Sequence, residues 1–213
     1  VAYLLQKALY DENPDATQVW GQTLTDPKQP YPVLGGLKVY QTTPCTGGYS
    51  NNDNQPLDHH YENGVCSRCG EHEPPNKAAD GFYEIYDQWQ LRWFANQVNT
   101  VDSTISARLM DDITINSGVL NENGELNTGA GANFTPWTLI GTNTKPFTGT
   151  FDGNNKTISG LYINASITDY VGLFGYIGTN GTVKDVTLAD FYVSGQNYVG
   201  GICGQNKCGT LQN

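Results

Sequence analysis

A phrase beginning Tyr-Val-Gly returns 28 residues after its first appearance, and that return limits the folds open to this chain. Tyr170-Val171-Gly172 opens the stretch YVGLFGYIGTNGTVKDV, and Tyr198-Val199-Gly200 opens YVGGICGQNKCGTLQN. The pairs Gly181-Thr182 and Gly209-Thr210 keep the same spacing. A looser copy lies upstream, where Thr157 to Ile163 align with Thr182 to Leu188 at an offset of 25. Short β-branched runs broken by Gly and Asn, recurring with a period in the twenties, predict a β-solenoid. Each coil of such a fold needs inward residues that stack on those of the next. Ile158, Leu161 and Ile163 fill that role in one coil, and Val183, Val186 and Leu188 in the other. Phe151, Phe174 and Phe191 are expected as stacked core aromatics. Gly172, Gly175, Gly178 and Gly181 are expected at tight corners with positive φ. Asn154, Asn155 and Asn180 suit left-handed turns.

Composition agrees with extended structure. Of 213 residues, 38% are hydrophobic and only 15% charged, and much of the rest is Gly, Asn and Thr. That mixture favours strands and turns over helices. The net charge is -10, from 21 acidic and 11 basic residues. Nucleic acid is disfavoured as a partner, because phosphate neutralisation needs a basic face and no Lys/Arg cluster exists. Attraction to an anionic membrane surface is disfavoured on the same ground. No apolar run is long enough for a transmembrane helix. The chain begins without Met and stops at Asn213 within a repeat, so it is expected to be a fragment of a longer protein.

Three segments are expected. Residues 1–43 combine a short helical opening, with Leu4, Leu5, Ala8 and Leu9 at helix-like spacing, and two strands around Val19-Trp20 and Val39-Tyr40. Residues 44–79 lack apolar periodicity and hold three of the five cysteines and all three histidines. A segment so poor in hydrophobes needs a metal or a disulfide to hold it. Residues 80–213 begin with an amphipathic helix, in which Leu91, Phe94, Ala95 and Val98 fall at i, i+3, i+4 and i+7. Alternation from Ala107 to Ile115 then predicts the first strand. The helix is expected to cover the open end of the solenoid, although a partner-binding helix would carry the same pattern.

Cys66-Ser67-Arg68-Cys69-Gly70 is the sharpest chemical signal. A C-x-x-C followed by Gly makes a knuckle that can place two thiolates on one metal. Cys45 and either His59 or His60 could complete a zinc tetrahedron. A disulfide from Cys45 to Cys66 or Cys69 is the alternative, since exported proteins favour oxidation. Four protein ligands would leave no position for water, so such a zinc would be structural. Cys203 sits at a core-like repeat position, and a bridge to Cys208 is conceivable.

Motifs for catalysis are sparse. There is no H-E-x-x-H and no G-x-S-x-G. The three histidines all lie in the cysteine-rich stretch, so no Ser-His-Asp triad is available to the repeats. A paired-carboxylate site could draw only on Asp111, Asp112, Asp152, Asp169, Asp185 and Asp190, which also serve as turn formers. Tyr162, Tyr170, Tyr176, Tyr192 and Tyr198 could form an exposed aromatic row for a glycan or protein ligand.

Several phrases together resemble a known family. Trp137 to Gly141, Pro146 to Asn154 and Thr157 to Leu161 resemble the lead-in to GLUG-motif repeats, and Val171 to Gly175 and Val199 to Gly204 resemble the motif itself. Such repeats occur in large bacterial surface proteins, including adhesin-like proteins. The resemblance covers roughly residues 81–213 and departs at Lys207-Cys208, where a small or polar turn residue is expected. It implies a right-handed parallel β-helix on the cell exterior. Trp20 to Gln22 and Tyr31 to Gly36 resemble the close of a preceding module. In similar small modules the phrase His-x-aromatic, Gly, Cys-x-x-Cys-Gly recurs, and it selects His59 over His60, giving Cys45, His59, Cys66 and Cys69 as the zinc set. The expected function is a monomeric, non-catalytic stalk or adhesin-like scaffold at the cell surface or outside the cell. A host protein or glycan is the expected ligand. A carbohydrate-active β-helix enzyme and a glycan-binding module are the alternatives.

Overall fold

The computed structural model describes residues 5, 20–22, 31–34, 40–41, 49–50, 61–66 and 70–213. The chain divides into two compact units, Val1–Glu73 and Pro74–Asn213. Among the described residues the structure is mainly β.

Among its described residues the first unit shows three antiparallel strand pairs. β1 (Trp20–Gly21) pairs with β2 (Val33–Leu34), β3 (Tyr40–Gln41) with β4 (Tyr49–Ser50), and β5 (Tyr61–Glu62) with β6 (Val65–Cys66). Asn63 and Gly64 join the last pair with φ of 52° and 76°. Two consecutive left-handed residues make the turn whose twist matches the strands on either side. Of the expected opening helix, only Leu5 is described, and it is helical; Leu4, Ala8 and Leu9 lie outside the described residues.

The second unit is built on parallel pairing. β7 (Asn76–Lys77) runs antiparallel to β8 (Phe82–Ile85), and β8 runs parallel to β9 (Ser106–Leu109). The strand expected from Ala107 to Ile115 breaks at Met110–Asp112, and β10 (Ile113–Thr114) resumes it. β9 and β10 both lie parallel to β11 (Thr150–Ser159). From there every third strand pairs in parallel. β11 pairs with β14 (Thr182–Ala189), and β12 (Tyr162–Asn164) with β15 (Tyr192–Ser194). β13 (Phe174–Ile177) pairs with β16 (Cys203–Asn206), and β14 with β17 (Thr210–Gln212).

Helix α1 (Gln88–Thr100) precedes β9. Asp87 stops the preceding strand and caps the helix, its Oδ1 accepting from the Trp89 and Gln90 amides at 2.8 and 2.9 Å. The Gln90 side chain reaches back to the Tyr86 amide. Leu91, Phe94, Ala95 and Val98 are all buried. Phe94 meets Phe147 and Phe151 with ring centroids 6.0 and 5.9 Å away, and Phe174 meets both of those rings in turn. The core is this aromatic cluster, continued by Ile158, Leu161, Ile163 and Val183.

Three expectations about the repeats are corrected. The offset of 25 is not the register. Phe151 faces Val183 and Ile158 faces Leu188, offsets of 32 and 30, because Asp152 to Lys156 spans a bulge opposite the shorter step Lys184 to Val186. Asn154 and Asn155 lie in that bulge at φ of 51° and 58°. Phe191 is not a core aromatic but is 38% exposed. The glycines at 172, 175, 178 and 181 do not have positive φ. They are needed because the neighbouring strand lies too close for a side chain: a Cβ at Gly172 would sit 2.7 Å from the Gly200 carbonyl oxygen, and at Gly181 2.5 Å from that of Phe147.

Candidate functional site

Cys66 ends β6 and is buried. Its amide donates to the Glu71 carbonyl and its carbonyl accepts from the Gly70 amide, both at 2.8 Å, so the chain turns back on itself within five residues. Gly70 permits this with φ of 74°. The turn is the local geometry a C-x-x-C-Gly knuckle needs. Cys45, His59 and Cys69 lie outside the described residues, as does His60. Among the described residues no group of three or more His, Cys, Asp or Glu is gathered as a metal would require.

The five tyrosines fall into two groups. Tyr162 and Tyr192 are register partners on β12 and β15, with rings stacked at 6.1 Å. Tyr170 and Tyr198 stack more closely, at 4.8 Å and 12° between ring planes, and Tyr176 meets Tyr170 edge-on. Both residues of the second stack are left-handed, with φ of 61° and 56°. Bonds between the two copies flank Tyr170: its amide donates to the Asn197 carbonyl, and the Asn197 side chain donates to Asp169 Oδ1.

The acids are dispersed among structural duties. Asp112 Oδ1 accepts from the Thr157 amide, and Asp111 Oδ1 accepts from the Asp112 amide. Asp190 takes the Val119 and Leu120 amides with its two oxygens. Asp152 and Asp185 converge on a shared cation: Lys184 Nζ lies 2.9 Å from one and 3.4 Å from the other. Burial pushes the Asp152 carboxyl up, but the Lys184 hydrogen bond, the Asn154 amide and the charges of Lys184 and Arg108 outweigh it and hold the group below its ordinary range.

That cluster belongs to a row that motif searching misses. Glu84, Arg108, Asp152, Lys184 and Gln212 are successive register partners across β8, β9, β11, β14 and β17. Arg108 reaches Asp152 at 3.7 Å and Asp80 at 3.2 Å. Alternating signs along a ladder attract across each strand pair. The signal was an isolated charge inside each strand pattern, which becomes a row only when register is known.

Cys203 and Cys208 are free thiols. Burial pushes the Cys203 thiol up to about 11. Cys208 is exposed with φ of 65° and stands where Asn180, at φ of 71°, stands one repeat earlier. The departure at Lys207-Cys208 therefore keeps the turn and changes only the residue in it.

Two relatives match parts of the chain. Halomucin of Haloquadratum walsbyi is 38% identical over 106 residues, which is 50% of this chain and 1% of that protein. A protein of Evansella cellulosilytica named as a Gly-rich membrane protein is 38% identical over 73 residues, 33% of this chain and 8% of that protein. The chain thus spans only about 1% and 8% of the length of these curated relatives. No family model and no solved structure matches it. Among the described residues no helix is long and apolar enough to cross a membrane.

Proposed function

We propose that the chain is part of a cell-surface or secreted protein, in which a parallel β-helix of the GLUG-repeat type acts as a stiff, non-catalytic scaffold for display or adhesion. The carrying observation is the pairing of every third strand in parallel from β11 to β17. On this reading β11, β12 and β13 are three faces of one right-handed coil, the next three strands are the following coil, and α1 covers the first. Stacked coils extend a surface without a new core for each addition, which suits a stalk. Stacked Tyr rings and the charge row tie one coil to the next. The relatives support the location, since one is named as a membrane protein and the other carries mucin in its name.

The acids offer little to an enzyme. Asp190, Asp112 and Asp169 already accept hydrogen bonds that hold the backbone or a neighbouring loop. Asp152 is held in its charged form, the wrong state for a proton donor. In the first unit, the Cys66-to-Gly70 turn supports a structural zinc held by Cys45, His59, Cys66 and Cys69.

The location is tested with antibodies against residues 74–213, applied to intact and to permeabilised cells that make the full-length protein. Equal labelling of both is expected. Labelling that requires permeabilisation, with none of the protein in the medium, would sink the surface or secreted reading.

A further inference from the structure

A loop of some twenty residues separates β10 from Trp137, and it is held more firmly than its composition suggests. Both oxygens of Asp190, between β14 and β15, fasten the Val119 and Leu120 amides at 3.0 and 2.8 Å. Asn116 Oδ1 accepts from the Thr135 amide, and its Nδ2 donates to the Thr135 and Gly160 carbonyls, so the loop is closed where it leaves and returns. Within it, Asn127 bonds Gly118, Val119 and Gly129. A loop with fixed ends and an internally bonded middle is a preorganised wall.

Between this wall and β12 lies a groove of about 270 Å³. Its floor is aromatic. Phe134 packs against Tyr162 at 5.3 Å between centroids, and Tyr162 stacks on Tyr192. Its rim carries the exposed side chains of Thr128 and Asn133. No charged side chain lines it.

We infer that this groove binds an uncharged saccharide, with a sugar ring lying against Phe134 and Tyr162 and its hydroxyls meeting Asn133 and Thr128. Sugar rings present C–H faces that suit an aromatic surface and edge hydroxyls that need neutral donors and acceptors. The groove has both, in the arrangement of apolar walls with few placed polar groups that small-molecule sites show. An acidic sugar is disfavoured by the absence of any lining cation and by the net charge of -10. This assignment gives the adhesive part of the proposed function a site and a ligand class, and rests on that reading only for its biological use.

The test titrates the full chain with soluble oligosaccharides of glucose, mannose, xylose and N-acetylglucosamine, and with oligogalacturonate as the acidic control. Amide NMR shifts are followed to about 1 mM ligand, the weak end of specific binding. At least one neutral oligosaccharide is expected to bind, shifting residues 126–134 and 162. Phe134→Ala and, independently, the surface change Asn133→Ala are each expected to weaken it about tenfold or more. Lys207→Ala, an exposed change in the turn between β16 and β17, is expected to leave affinity unchanged. Because Asn133 is exposed, its variant reads binding without a folding effect. Absence of binding by every neutral sugar, stronger binding of oligogalacturonate, or full affinity in both groove variants would overturn the inference. Surface labelling of cells with no sugar bound leaves the display reading standing and removes only the groove; sugar binding by an unexposed protein does the reverse.

Discussion

Left-handed backbone at non-glycine residues is where single side chains decide most in this protein. Asn180 and Cys208 occupy the same turn in successive repeats at φ of 71° and 65°. Asn tolerates that region through local hydrogen bonding, whereas Cys meets the ordinary steric penalty of a Cβ. Cys208→Asn is therefore expected to stabilise the second unit by about 0.5–1 kcal/mol, read as a higher midpoint in urea. An unchanged or lowered midpoint would show that the Cys208 side chain makes a compensating contribution. Gly160 is the opposite case. It has φ of 77°, and an added Cβ would sit 1.8 Å from the Asn116 carbonyl oxygen. Because the obstacle is backbone, Gly160→Ala should destabilise by about 2 kcal/mol or more. The side chain of the same Asn116 closes the loop that walls the groove, so residues 116–136 should also lose amide exchange protection in that variant.

Among the elements, α1 and the charge row make separable contributions. Phe94 is fully buried and links the helix to two core rings, Phe147 and Phe151. Phe94→Ala is expected to cost about 3–5 kcal/mol, measured by chemical denaturation of the second unit. A cost under about 1 kcal/mol would mean that the helix is dispensable to the core. The charge row contributes through pH. Asp152 is held below its ordinary range in the folded state, so its stabilisation is present above the unfolded carboxylate pKa and is lost as pH falls through the folded one. Asp152→Asn should then cost about 1 kcal/mol at neutral pH, after allowance for solvent around Arg108 and Lys184. The difference from the parent should shrink toward zero as pH drops below about 4. A difference that persists in acid would point to packing rather than charge.

At the level of the whole molecule, the two units should unfold by different means. The second has a continuous apolar core from Leu91 to Val183, while the first needs a staple if the zinc reading holds. Elemental analysis of the purified chain is expected to find about one zinc per molecule, the count for one four-ligand site. A chelator should then abolish exchange protection around Tyr61–Cys66 and leave Phe151 to Ile158 protected. Zinc-free protein whose protection at Cys66 is lost only on reduction would replace the metal with a disulfide.

Much of the core was legible in the residues themselves. The helix face of Leu91, Phe94, Ala95 and Val98 followed from its 3.6-residue spacing, because burial of one stripe is a local property of a helix. The inward places of Ile158, Leu161 and Val183, and the coincidence of Tyr170 with Tyr198, followed from repetition, since equal spacing brings equal residues into contact. The groove was only half visible: Tyr162 and Tyr192 stood out as aromatics, but Phe134 came from a loop with no pattern, closed beside it by the Asn116 side chain and fastened at Val119 and Leu120 by an Asp190 carboxylate far along the chain. Register was hidden for the same reason. A bulge at Asn154-Asn155 changes the pairing by two residues without changing the alternation on either side. Local periodicity settled which side chains turn inward, a matter of backbone geometry over a few residues. Which strand lies beside which, how closely the glycines must let them approach, and what the loops enclose depended on contacts between distant segments, and those exist only once the chain has packed.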